Sequence, residues 1–296
     1  METLTSLDLH YLISELKQAE GAIINNLYQN KDVFILDIHK TGLDCKYLYI
    51  IPGKTAFLAK QKTEMPETPP GFCKNMRKLL KRAIIKEIKQ YEFQRILEIE
   101  FKTGEKLIAE LFSKGNLVFA DKEMKIKSLM QTQQWKDRTI KTGEKYVYPK
   151  QELDVLKIDE KKLEKNISEK NSDKEIVKFV AIDLAFSGEY AEKFCKEAGI
   201  EKNKSLKEIG AKKIVAELKK FIEKNQKKIN DKISESVIKT QKKETKQKYE
   251  SKFDKEIQKI KNMIQQQEKS ISEREKEAEE SRLIGDKIYE NYIILK

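Results

Sequence analysis

Seventy-four consecutive residues, 211–284, contain neither proline nor glycine, and no other feature limits so strongly what this chain can become. Nothing there breaks a helix, and at 1.5 Å per residue a helix of roughly 70 residues would reach about 100 Å. That is too long for one small core, so an extended arm is expected. Within it Ile257, Ile260, Ile264, Gln267, Ile271, Arg274 and Ala278 alternate steps of three and four, the a/d seam of a coiled coil. Gln267 and Arg274 weaken the seam. Its partner, a second copy or a returning helix, is therefore expected to bind reversibly, and pairing between copies is the favoured arrangement.

The charge is uneven. Residues 201–255 hold 18 basic against 9 acidic residues. A second cluster spans 74–95, where Lys74, Arg77, Lys78, Lys81, Arg82, Lys86, Lys89 and Arg95 meet only Glu87 and Glu92. Over the whole chain 61 Lys and Arg against 49 Asp and Glu give a formal charge of +12. Two basic blocks separated by less charged sequence point to a polyanion, nucleic acid being the commonest. A merely solvated Lys/Glu surface is the rival reading, and clustering favours the first.

The N-terminal half mixes the two periodicities. Thr5 can cap a helix over residues 5–20, with Asp8 as the acidic half of a capping box, and Leu9, Leu12, Ile13 and Leu16 form one apolar face. Short runs rich in Ile, Val, Tyr and Phe follow, punctuated at Asn30–Asp32, Thr41–Gly42 and Pro52–Gly53, which predicts antiparallel hairpins. A basic helix is expected at about 70–82. Hairpins resume around Thr103–Gly104–Glu105 and Asp121–Glu123. The pattern predicts an α+β chain whose first 150 residues form a twisted antiparallel sandwich or a partly open barrel. Residues 150–171 read as a polar connection. Capping boxes at Ser172-x-x-Glu175 and Ser205-x-x-Glu208, with Ser187–Gly188 between them, predict short helices around a turn. That unit is either a phosphate-gripping helix-hairpin-helix or an ordinary helical hairpin. The expected divisions are 1–150, 151–210 and a coiled-coil arm over 211–296.

Catalytic signatures are missing. There is no phosphate-binding glycine loop, no G-x-S-x-G and no H-E-x-x-H. Cys45, Cys73 and Cys195 lack CxxC spacing, and with only His10 and His39 beside them neither a disulfide framework nor a zinc site is expected. Both histidines read as structural. No run approaches the length of a membrane span, and the N-terminus lacks a signal layout. A cytoplasmic binding protein without catalytic residues, cofactor or metal is the expectation.

Several dispersed motifs then fall into place. Ser6–Leu12 (S-L-D-L-H-Y-L), Pro69–Phe72 (P-P-G-F) with Arg77–Lys78, Phe93–Ile96 (F-Q-R-I), Lys114–Asn116 (K-G-N) and Trp135–Glu144 (W-K-D-R-T-I-K-x-G-E) together resemble the archaeal branch of the NFACT family. That family includes the eukaryotic nuclear export mediator factor, a bacterial ribosome-quality-control homologue, and proteins once described as fibronectin-binding. The resemblance covers essentially the whole chain, in the order N-terminal domain, helix-hairpin-helix, coiled coil. It implies an N-terminal domain similar to that of formamidopyrimidine-type DNA glycosylases, but Glu2 stands where those enzymes carry a proline amine. Glycosylase activity is not expected. It also implies a factor that binds large ribosomal subunits carrying stranded peptidyl-tRNA, together with rRNA and tRNA. In the family an acidic residue near the start and an Asp-Arg pair handle tRNA. Asp8 matches the first and Arg95 the arginine, whereas Gln94 stands where the aspartate would be. C-terminal tailing of the nascent chain thus hangs on whether Gln94 can serve. The family usually carries a second half of the coiled coil and a further domain, so a shortened form is expected.

The expected RNA-binding residues are Asp8, Gln94 and Arg95 with Lys74, Arg77, Lys78, Lys81 and Arg82. The competing reading is a DNA-binding or repair module on the same scaffold without its catalytic groups, disfavoured because a lesion enzyme has no use for a long basic stem.

Overall fold

A computed structural model describes residues 3–135, 138–150 and 153–292, without the side chains of 171 and 241–255. The motif residues Lys136 and Asp137, the side chains of the basic stem from 241 to 255 and the tail end Ile293–Leu295 lie outside the described residues. The chain divides into two compact units, Met1–Ile238 and Lys239–Lys296.

Helix α1 (Ser6–Leu16) opens on the expected capping box. Thr5 Oγ1 accepts the Asp8 amide at 3.0 Å, and the Asp8 carboxylate accepts the Thr5 amide at 3.1 Å. The α-helix ends at Leu16 and one 3-10 turn, Lys17–Ala19, finishes it. Strands β1 (Ile23–Asn30), β2 (Val33–His39), β3 (Tyr47–Ile51) and β4 (Thr55–Ala59) form one antiparallel meander. After α2 (Gly71–Leu79) a second meander runs β5 (Ile85–Gln90), β6 (Ile96–Phe101), β7 (Lys106–Glu110), β8 (Asn116–Ala120) and β9 (Ile126–Leu129). A two-stranded ribbon, β10 (Gln133–Gln134) with β11 (Thr139–Ile140), completes the sheet region. The alternation of apolar residues orders the layers. Leu27, Phe34, Leu36 and Leu48 of the first sheet meet Leu97, Ile99 and Leu107 of the second in one core, which α1 closes with Leu9, Leu12 and Leu16. Runs such as Phe34–Leu36 are apolar on both faces because the outer face is covered too: Ile35, Tyr49 and Phe57 pack with Val237.

The second half is helical: α3 (Glu160–Asn166), α4 (Ile176–Lys178), α5 (Gly188–Glu197), α6 (Leu206–Ile209), α7 (Ala211–Lys224) and α8 (Asn230–Tyr292). Here several expectations need correction. Arg95 does not open a strand directly after the basic helix expected at about 70–82: that helix ends at Leu79 and strand β5 intervenes, so Arg95 follows the turn between β5 and β6. The polar connection 150–171 contains α3 and buries Val155, Ile158 and Leu163. Ser172 does not cap a helix; Glu175 occupies the N-cap of α4. The Ser205 cap is present, with Ser205 Oγ accepting the Glu208 amide and opening α6. The arm expected to run as one long helix from 211 is broken over 225–229, whereas Gly285 lies inside α8 without interrupting it. Along α8 the described side chains from 256 to 292 are all exposed, the seam residues Ile257, Ile260, Ile264 and Ile271 included.

Candidate nucleic-acid interface

Helix α1 belongs to two cores at once. Its Leu9, Leu12 and Leu16 face the sheets, while Leu7 and Tyr11 pack with Phe179, Phe186 and Phe221 of the helical module. Phe93, in the turn between β5 and β6, joins that second core with its ring centroid 5.1 Å from that of Phe186. The turn is thereby pinned to both halves, and the residues after it, Gln94 and Arg95, emerge at the seam between them.

A cleft of about 370 Å³ opens there. It is lined by Ser6, Gln94, Arg95 and Phe112 from the sheet domain and by Asn166, Ile182 and Asp183 from the helical module, together with Pro149, Lys150 and Leu153 from the connection between them. Arg95 is half-buried, and its NH1 donates to the Leu4 carbonyl at 3.4 Å. Burial draws its pKa downward, yet a guanidinium keeps its proton at biological pH. Gln94 donates from Nε2 to the Pro149 carbonyl at 3.0 Å and to Glu92 Oε2 at 3.4 Å. Gln90 ties the wall to α1, its Nε2 donating to the Ser6 carbonyl at 2.9 Å and the Gln94 carbonyl at 2.8 Å.

The acid that lines the cleft and two buried behind it are paired with cations. Asp183 pairs with Lys174 at 2.6 Å. Behind the sheet wall Glu110 is held by Arg138 at 2.8 Å and by the Tyr146 hydroxyl, and Glu98 by Lys89, Lys106 and the Tyr148 hydroxyl. Arg138 also lies under the Trp135 ring, 4.4 Å from its centroid, and 5.9 Å from that of Phe112. An apolar, aromatic and cationic concavity of this kind suits an unpaired nucleotide, whose base can stack while its phosphate meets a cation.

Gln94 and Arg95 both line the cleft, together with Ser6 from the first turn of α1. Asp8 does not line the cleft. Its Oδ1 accepts the Tyr190 hydroxyl at 2.7 Å and lies 3.5 Å from Lys227 Nζ, and its Oδ2 serves the cap. None of the cations on α2 or in the turn just after it lines the cleft either. Lys74, Lys78, Lys81 and Arg82 are exposed, and among the described residues no carboxylate pairs with them. Arg77 is half-buried; its Nε donates to the Leu27 carbonyl at 2.7 Å, and its guanidinium faces the Tyr28 ring. Further along the block Lys86 and Lys89 are spent on Glu100, Glu87 and Glu98. The sequence reading did not single out Phe112, Lys150, Asn166 or Asp183 as site residues. Lys150 carried the one local signal, a cation following Pro149 at the end of the sheet domain.

Among the described residues no helix is long and apolar enough to cross a membrane, and no group of three or more His, Cys, Asp or Glu is placed to hold a metal ion.

The sequence profile of a family described as NFACT N-terminal and middle domains matches residues 5–249. Among curated relatives, the archaeal Rqc2 homolog aRqcH of Methanocaldococcus jannaschii is 27% identical, covering 99% of this chain and 51% of its own. Ribosome quality control complex subunit 2 of Saccharomyces cerevisiae is 34% identical over 43% of this chain and 13% of its own length. The chain thus spans about half the length of its archaeal relative and a small part of the yeast one. Among solved structures, the N-terminal part of the fibronectin/fibrinogen-binding protein of Streptococcus suis aligns with a TM-score of 0.59 at 22% identity, covering 75% of this chain and 85% of its own. At that identity the likeness is one of fold.

Proposed function

The chain belongs to the NFACT family, and from that premise we propose that it is a cytoplasmic ribosome-quality-control factor that engages large ribosomal subunits carrying stalled peptidyl-tRNA and binds tRNA. Relatives named for ribosome quality control in an archaeon, a yeast and a fly support the role. The single observation that carries the RNA-binding part is the cleft, where Arg95 and Lys150 stand with Phe112 and Ile182 and the lining acid, Asp183, is paired with Lys174.

On this reading Gln94 and Arg95 contact an unpaired stretch of tRNA. Lys74, Lys78, Lys81 and Arg82 hold phosphates of tRNA or rRNA as point charges, and the stem over 201–255 adds to that field. Arg77 contributes less, since its Nε is occupied. The turn before α5, where the Ser187 side chain accepts the Tyr190 amide, is the helix-hairpin-helix element of the reading and would hold a further phosphate through backbone amides. Gln94 supplies a neutral amide where the family aspartate is a carboxylate, so the proposal is confined to binding and does not extend to tail synthesis. The exposed seam of α8 is assigned to pairing, with a second copy or with a returning helix of a longer family member.

Fluorescence titration of labelled tRNA tests the site. Arg95→Ala should weaken binding by about 1–3 kcal/mol, the worth of a charged hydrogen bond, with little change in melting temperature. An unchanged affinity would remove Arg95 from the interface.

A further inference from the structure

Asp8 is the acidic residue that the RNA-binding reading would place against tRNA, yet its carboxylate is already engaged. One oxygen takes the Thr5 amide and hydroxyl; the other takes the Tyr190 hydroxyl at 2.7 Å, with Lys227 Nζ at 3.5 Å. Lys227 also donates to the Tyr190 hydroxyl at 2.6 Å, so the three groups form a closed triangle. Burial and the hydrogen bond to Asp8 both push the Tyr190 pKa upward, keeping the phenol a donor.

The triangle is the first of three clasps along one side of α1. A turn later the Tyr11 hydroxyl donates to the Ile222 carbonyl at 2.9 Å. A further turn on, Glu15 Oε1 accepts the amides of Ile229 and Asn230 at 2.7 and 3.1 Å, capping the start of α8. Positions 8, 11 and 15 are spaced by three and four, so they share a helix face. That face grips the helical module and the 225–230 segment. The cleft lies between the same two bodies, with Ser6 and Arg95 on one side and Ile182 and Asp183 on the other.

We infer that Asp8 is a positioning residue, which sets the width of the cleft by holding Tyr190 and Lys227 against α1 and does not itself touch RNA. This inference rests on the RNA-binding reading only for its readout; the clasp is a property of the free chain.

The test is a set of variants titrated with labelled tRNA. Tyr190→Phe leaves the Thr5–Asp8 cap untouched and removes the phenol donor. Asp8→Asn, Tyr190→Phe and Lys227→Met should each weaken binding about tenfold, the scale of a charged hydrogen bond. Lys227→Arg should restore affinity. Asp8→Asn combined with Tyr190→Phe should be no weaker than either alone, the non-additivity of groups acting as a unit. Loss in Asp8→Asn with parental affinity in Tyr190→Phe would overturn the inference, because Asp8 would then act on RNA directly. Parental affinity in every variant would overturn it equally. If the parent itself binds no tRNA, the RNA-binding reading fails, and hydrogen exchange of the free chain decides the clasp. Amides 225–230 should exchange faster in Tyr190→Phe than in the parent; unchanged exchange would overturn it.

Discussion

Gly53 and Gly115 meet backbone to backbone: a Cβ on Gly115 would lie 2.0 Å from the Gly53 nitrogen and 2.2 Å from the Pro52 carbonyl carbon. Both have positive φ, 76° and 69°, and the Gly53 amide donates to the Glu110 carbonyl at 2.9 Å. The turns of the two sheets are stitched here, beside the buried Asn116 amide that bonds Gln131 and Gln133. This is the physical content of the Lys114–Asn116 motif.

Gly115→Ala must therefore separate the turns and take on a left-handed conformation costing about 1–2 kcal/mol for any side chain. Urea unfolding should show a loss above about 2 kcal/mol, since the clash is with backbone that cannot rotate away. A midpoint equal to the parent's would contradict the packing.

The acid limb of stability should carry a His10 signature. Burial holds the His10 pKa below its usual 6.5, outweighing the opposite pull of a hydrogen bond with Gln90. A depressed folded value means the unfolded chain takes the proton first. His10's contribution is whole above about 6.5 and is lost as pH falls below it. Stability measured from pH 7 down to 5 should fall more steeply in the parent than in His10→Leu. Equal slopes would place His10 in solvent.

Salt should weaken tRNA binding strongly, and the exposed cations on α2 and in the turn after it set part of the slope. Each phosphate neutralised contributes roughly 0.7–0.9 to the fall of log K with log salt. Lys78→Gln with Lys81→Gln should make the slope shallower by about 1.5. An unaltered slope would mean that these lysines are merely solvated.

The seam of α8 predicts association. Isoleucines each worth roughly 1.5–3 kcal/mol on burial are exposed at 257, 260, 264 and 271. Sedimentation velocity over a wide concentration range should show reversible self-association, abolished by Ile260→Lys. A monomer at every concentration would leave the seam to a returning helix from elsewhere.

The elements whose signals are local were legible in the sequence. Thr5 with Asp8 marked α1, the alternating runs marked the strands, and Ser205 marked α6. Misreadings cluster where distant segments decide. Ser172 and Glu175 have the spacing of a capping box, but the Ser172 and Lys174 carbonyls accept the amides of Lys207 and Leu206, and Glu175 bridges to Ser205. Long-range pairing there displaces the local cap. The break between α7 and α8 shows no proline or glycine. Asn225 ends α7 by donating its side-chain amide to the Phe221 carbonyl, and Glu15, more than two hundred residues away in sequence, caps α8. Asn230 also pairs through its amide with both backbone groups of Leu58 on β4. In the cleft, Gln94 and Arg95 were found because a motif names them. Asn166, Ile182 and Asp183 come from a segment that local periodicity could not dock.

The central claim is ribosome engagement through the cleft, and the most direct measurement is co-sedimentation of the chain with purified large subunits, vacant or carrying peptidyl-tRNA, at low salt. The account predicts that the parent pellets preferentially with the tRNA-bearing subunits, while Arg95→Ala, folded to the same melting temperature, does so much less. Equal recovery of parent and Arg95→Ala, or a parent that stays in the supernatant with both kinds of subunit, would contradict it.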